Sequence, residues 1–114
     1  MYTINGLKIS IPRGDTADLL FKLTNANTEQ PYLLGEGQKL RFDVFYKSNS
    51  RYVIQVNADS TAQESDGTVT VRLTSENTDI ERSEYRYVLR ITDTASGDVD
   101  TILGTNEELT IEIL

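Results

Sequence analysis

The sequence predicts an all-β protein, an antiparallel sandwich of about seven strands. Three observations carry that prediction. Apolar and polar residues alternate with period two in run after run, while helical periodicity is nearly absent. Gly, Pro, Asn, Asp and Ser cluster between the runs, where tight turns need them. The stretch from Leu73 to Thr92 reads as a strand end, a short polar crossover and a long strand placing Tyr85, Tyr87, Leu89 and Ile91 on one face. Greek-key sandwiches pass between sheets in this way, so the expected architecture is immunoglobulin-like.

The expected strands follow in order. Leu7, Ile9 and Ile11 alternate with Lys8 and Ser10, and Pro12-Arg13-Gly14-Asp15 ends the run. Leu19, Phe21 and Leu23 form the second strand, followed by the loop Asn25 to Pro31. Gly35-Glu36-Gly37-Gln38 leads into Leu40, Phe42, Val44 and Tyr46, and Ser48-Asn49-Ser50 turns into Tyr52, Ile54 and Val56. Asp66-Gly67 opens Val69, Val71 and Leu73. Ser75 to Ile80 has room for one helical turn with Ser75 as its cap, and six residues do not hold a helix alone. After the strand Tyr85 to Ile91 and the turn Ser96-Gly97-Asp98, the last strand carries Leu109, Ile111 and Ile113. The expected core is Ile9, Ile11, Leu19, Phe21, Leu23, Leu40, Phe42, Val44, Ile54, Val69, Val71, Leu73, Tyr87, Leu89, Ile91, Leu109 and Ile111. Tyr85 and Tyr87 read as structural, with a hydroxyl able to reach back to loop backbone and lock the corner.

At 114 residues the chain reads as one domain over residues 1–114, large enough for a core without staples. It contains no Cys and no His, which removes disulfides, thiolate metal sites, the commonest zinc ligand and the commonest general base. The first residues show no apolar signal-peptide core, and no run approaches the ~18 apolar residues of a membrane span. The expectation is a chain made and folded in the cytoplasm, without a secretory signal and without a membrane partner.

The net charge is 11 − 18 = −7. Residues 1–52 carry 7 basic and 5 acidic side chains, and residues 53–114 carry 4 and 13. Nucleic-acid binding needs clustered Lys and Arg, and this pattern argues against such a partner. The asymmetry leaves open an electronegative edge facing a basic partner, or charges mixed when the two halves interleave.

Candidate motifs each have a plain structural reading beside the functional one. Arg13-Gly14-Asp15 is a tripeptide that integrins read at an exposed hairpin tip, but Gly14 and Asp15 are also ordinary turn residues. Asp93 to Asp100 carries three carboxylates around a turn, an oxygen-rich cluster of the kind calcium prefers, without the ligand spacing of a dedicated loop. No carboxylate pair stands out for glycoside hydrolysis. The sequence thus offers no catalytic residue, metal ligand or cofactor site.

One pattern points to contacts with other proteins. If Leu40, Phe42, Val44 and Tyr85, Tyr87, Leu89, Ile91 face inward, Phe45 and Val88 face outward. They would then share an exposed sheet face, together with Leu103. An apolar patch there suggests a protein partner or a second copy, whereas scattered surface apolars need no explanation. The final strand, Thr110 to Leu114, is open to strand addition if it lies at an edge. The alternative role is a carbohydrate- or receptor-binding module using exposed tyrosines, with Tyr46 and Tyr52 as candidates.

The chain resembles a group of small phage and prophage proteins, the N-terminal domains of phage baseplate upper proteins and related immunoglobulin-like tail proteins. The resemblance rests on Ile11-Pro12-Arg13-Gly14-Asp15-Thr16, Leu19 to Thr24, Gly37-Gln38-Lys39-Leu40-Arg41-Phe42, Asp66 to Thr74, and Tyr85-Arg86-Tyr87, and it spans about Ile4 to Ile113. It implies a non-enzymatic structural module that docks onto a tail or baseplate scaffold, made in the bacterial cytoplasm, and it leaves association with the virion open. The matched positions are architectural, so no catalytic or ligand residue carries over. Baseplate upper proteins continue into a helical linker and further domains, whereas this sequence stops at Leu114, so the expectation is a stand-alone module.

Overall fold

The computed structural model describes residues 2–4, 8–25, 27–49, 51–103 and 109–114; for residues 2–4, 102 and 103 it describes the backbone alone. Nine strands are formed among them: β1 (Tyr2–Ile4), β2 (Ile9–Ile11), β3 (Ala17–Asn25), β4 (Gln38–Tyr46), β5 (Tyr52–Ala58), β6 (Thr68–Leu73), β7 (Glu84–Asp93), β8 (Val99–Leu103) and β9 (Thr110–Ile113). The seven expected strands are β2 to β7 and β9; Leu7, read as the start of the first, lies outside the described residues. The two additional strands are β1 and β8. Beta-8 carries Val99-Asp100-Thr101, too polar and irregular for period two to reveal it; its pairing with β7 supplies the order that its own sequence does not.

Two sheets make the fold an all-β sandwich. The smaller has the order β1-β3-β6, all antiparallel. The larger has the order β2-β9-β7-β4-β5, in which β2 runs parallel to β9. Beta-8 and β9 occupy successive stretches of one edge of β7, opposite Leu89–Thr92 and Glu84–Arg86 respectively. The last strand is therefore internal, flanked by β2 and β7. Its backbone groups are committed, so the condition for strand addition at Thr110 to Leu114, an edge position, is not met.

Core residues come from alternate positions of both sheets, because successive side chains of a strand point to opposite faces. Phe42 sits at the junction: its ring centroid is 5.9 Å from that of Phe21 in the small sheet and 5.3 Å from that of Tyr87 in the large one. Leu23, Leu40, Val44, Val69, Val71, Leu73, Leu89 and Ile111 are fully enclosed around it. Ile9, Leu19 and Leu109 only pack against this core, while Leu34 and Ile113 join it unanticipated and Tyr85 joins it from the inward face of β7, as its parity with Tyr87 implies. Burial of such side chains, at roughly 1.5–3 kcal/mol each, offsets the entropy of ordering the chain.

The crossover between sheets holds one helical turn, α1 (Ser75–Thr78). Its cap is Thr74 rather than Ser75: the Thr74 hydroxyl accepts from the Asn77 N–H, and the Asn77 side chain accepts from the Thr74 N–H. This reciprocal capping satisfies two end groups that a helix too short to stand alone would leave open. Beyond it, the Tyr85 hydroxyl donates to the Glu81 carbonyl and closes the corner where the chain enters β7. Gly67 is fixed by sterics. At φ +93 a Cβ there would lie 2.4 Å from the Leu23 carbonyl oxygen, where β3 passes the turn.

Candidate functional site

The outward face of the large sheet carries the most unusual chemistry of the molecule. In β4 the outward positions are Lys39, Arg41, Asp43 and Phe45; in β7 they are Glu84, Arg86, Val88, Arg90 and Thr92. Register sets Arg41 opposite Arg90, Asp43 opposite Val88, and Phe45 opposite Arg86. Four cations and two carboxylates thus share this face of a chain whose net charge is −7, and one of the carboxylates, Glu84, is paired with Lys8 and Lys47.

Asp43 is completely buried although it lies on an outer face. Arg90 Nη1 donates to its Oδ2 at 2.7 Å and Arg41 Nε to the same oxygen at 2.9 Å, so the two guanidinium groups lie over the carboxylate. Asp43 Oδ1 and Arg86 Nε are buried without a hydrogen-bond partner among the described residues.

Phe45 and Val88 share this face, as expected, but neither is an exposed apolar patch. Phe45 is 7% exposed and Val88 8%. The guanidinium carbons of Arg86 and Arg90 lie 5.7 and 6.0 Å from the Phe45 ring centroid, and the Tyr52 ring lies 4.6 Å away. Long arginine stems cover apolar surface while their charged ends reach water, so the sheet's own side chains occupy the patch. Leu103 belongs to β8 and pairs with Leu89, and its side chain lies outside the described residues.

Tyr52 reaches this face because β5 is bulged. Val44 pairs with Ile54 but Phe45 with Tyr52, so Val53 is passed over. The extra residue turns Tyr52 away from Ile54, against the expectation that Tyr52, Ile54 and Val56 share a face. Tyr52 is half exposed and stands on Phe45. Tyr46 packs toward the core, 5.8 Å from the Tyr85 ring, so Tyr46 and Tyr52 do not form one cluster.

The other candidates have local duties. In Arg13-Gly14-Asp15 the turn is docked against α1 and the C-terminal residue. Arg13 Nε donates to Asp79 Oδ1 at 3.0 Å, the Arg13 N–H to the Leu114 carbonyl at 3.0 Å, and the Thr78 hydroxyl to the Asp15 carbonyl at 2.6 Å. Integrin reading asks for a projecting tip, and this turn is tied down. In the β7–β8 turn, Asp93 Oδ1 accepts from the N–H groups of Ala95 and Ser96, so that carboxylate caps its own turn. Among the described residues no three His, Cys, Asp or Glu side chains are grouped to hold a metal ion, and no helix is long and apolar enough to cross a membrane.

The alternation of the sequence sets Val88 outward between Arg86 and Arg90, but does not show that these arginines, with Arg41 and Asp43, cover Phe45 and Val88. The signal was present: Arg41-x-Asp43-x-Phe45 and Arg86-x-Val88-x-Arg90 both alternate against core residues. Their relative register was needed to see an ion cluster. No protein-family model matches the chain, and no match is found among curated proteins.

Proposed function

We propose that this chain is a non-enzymatic structural module that docks onto a larger protein assembly through the outer face of its large sheet. The observation that carries the reading is the Arg41–Asp43–Arg90 cluster with Tyr52 and Arg86 beside it. A sandwich needs only its inner faces to fold. A buried carboxylate with two orphaned polar atoms on an outer face costs stability, about 1–3 kcal/mol for each unsatisfied group. Local rules broken at such cost are expected at functional sites. Arg and Tyr dominate binding energy at protein interfaces. Asp43 holds two of the three arginines in place before a partner arrives, and the excess of positive charge selects an acidic partner surface.

The sequence resemblance makes a phage tail or baseplate the assembly. The strand pairing supports an immunoglobulin-like reading: β1 lies beside β3, β2 runs parallel to β9, and a tyrosine ties down the entrance of β7. The test is to induce the source bacterium, purify particles on a density gradient, and quantify the chain by mass spectrometry. The reading expects it in the particle fraction, with Arg86→Glu remaining folded but lost from it. Absence of the wild-type chain from particles would remove the tail assignment.

A second reading has one observation in its favour. Tyr52 presents a half-exposed ring on a fixed aromatic base, as a sugar-stacking residue would. A glycan-array signal abolished by Tyr52→Ala would support carbohydrate binding, and a blank array would count against it.

A further inference from the structure

Beta-5 ends the large sheet, and its only pairing among the described residues is with β4. Alternate residues of such a strand direct N–H and C=O groups away from the sheet, a template for another strand. Natural edges are usually blunted by charge or proline. From Tyr52 to Ala58 the sequence Tyr-Val-Ile-Gln-Val-Asn-Ala contains neither, and the single bulge sits at Val53, leaving Ile54–Ala58 in regular register with β4.

The ends of this strand carry opposite charges, Arg51 before it and Asp59 after it, both exposed. Gln55 stands midway between them. A second β5 laid antiparallel about a two-fold axis at Gln55 would place Gln55 opposite its own copy and Ile54 opposite Val56. Because the bulge removes one step on the Arg51 side, Tyr52 would meet Asn57, both on the outer face. Arg51 would arrive beside the Ala58–Asp59 end of the partner strand. Charge order along the strand is therefore self-complementary in one orientation, antiparallel. A parallel pairing would instead set Arg51 against Arg51.

We infer that the chain forms a two-fold dimer by β5-to-β5 pairing, joining two large sheets into one continuous sheet. The β5 edge alone carries this pairing, which stands whether or not the outer face binds another protein. In the dimer the two arginine-rich outer faces would lie side by side, doubling the surface offered to an acidic partner.

The test is sedimentation velocity of the purified full chain from micromolar to near-millimolar concentration, with Gln55→Lys, Arg51→Glu and Asp59→Lys. Wild type is expected to show a concentration-dependent dimer. Gln55→Lys sets two ammonium groups across the axis and should weaken association by ~10-fold or more. Arg51→Glu and Asp59→Lys should each associate weakly alone, while their equimolar mixture regains dimers, since both charge pairs are then restored in the heterodimer. Thermal melts confirm that each variant is folded. As a readout independent of the variants, amide exchange in Ile54–Asn57 should slow as concentration rises. A monomeric wild type, a dimer indifferent to Gln55→Lys, or a mixture no stronger than its parts would each overturn the inference. None of these outcomes bears on particle association, which the gradient experiment reads separately.

Discussion

The Phe45 and Tyr52 rings lie 4.6 Å apart because β5 passes over one residue, Val53, where it pairs with Phe45. That single bulge decides which side chains cover the outer face. It brings Tyr52 onto Phe45, and with Arg86 and Arg90 it converts an apolar patch into an internal layer.

Phe45 should therefore behave as a core residue. Phe45→Ala is expected to cost about 2–4 kcal/mol in urea unfolding, toward the value for a buried aromatic. Tyr52→Ala, at a half-exposed position, should cost about 1 kcal/mol. A Phe45 variant within ±0.5 kcal/mol of wild type would mean that the arginine cover is not in place.

Asp43 holds two cations over its carboxylate. Asp43→Ala strands Arg41 and Arg90 beside each other, and the expected loss is about 2–3 kcal/mol, below the full cost of a deeply buried pair because the arginines remain partly exposed. Arg72→Ala, which breaks the exposed bridge to Asp18, should cost about 1 kcal/mol or less. Equal losses in the two variants, measured by chemical denaturation, would contradict the buried-cluster account.

Tyr85 links stability to alkaline pH. Burial, then the nearby Tyr46 and Glu81, push its phenol above the ordinary value of 10.0. The folded chain thus keeps a proton that the unfolded chain releases. This contribution is complete below the unfolded pKa and is lost as pH rises through it toward the folded one. Tyr85→Phe should cost about 1 kcal/mol at neutral pH through the lost bond to Glu81, and should lose less further stability than wild type above about pH 10. Parallel pH–stability curves for the two proteins would refute this.

Thr78 pins the Arg13-Gly14-Asp15 turn to α1. Its side chain is fully buried and its hydroxyl donates to the Asp15 carbonyl. Thr78→Val keeps the shape and removes the donor, so a loss of about 1–2 kcal/mol is expected. Asp15→Glu should leave stability and integrin-dependent cell adhesion unchanged, since the Asp15 contact is made by backbone. Adhesion that depends on Asp15 would return the tripeptide to a functional role.

Much of the fold was legible because period-two alternation survives wherever one strand face is buried. Phe42, Val44, Val71 and Leu89 announce themselves in this way. Beta-8 did not, since its order comes from pairing with β7. The position of Thr110 to Leu114 within the sheet was not legible for a related reason: strand order depends on long-range pairing with β2 and β7 that local pattern does not encode. At the candidate site, the alternation places Phe45 and Val88 on one face but does not reveal its cover. Arginine stems lying over an aromatic, and an extra residue at Val53, follow from register and bulge geometry, which hydrophobic pattern specifies only loosely.

The proposed docking surface is the outer face of the large sheet. A photoreactive side chain at Thr92, on that face, and another at exposed Leu20, on the outward face of the small sheet, would test it most directly in intact source cells. A discrete cross-linked protein is expected from position 92, diminished by Arg86→Glu, and none from position 20. Cross-linking from position 20 alone, or none from position 92 with the folded chain abundant, would contradict it.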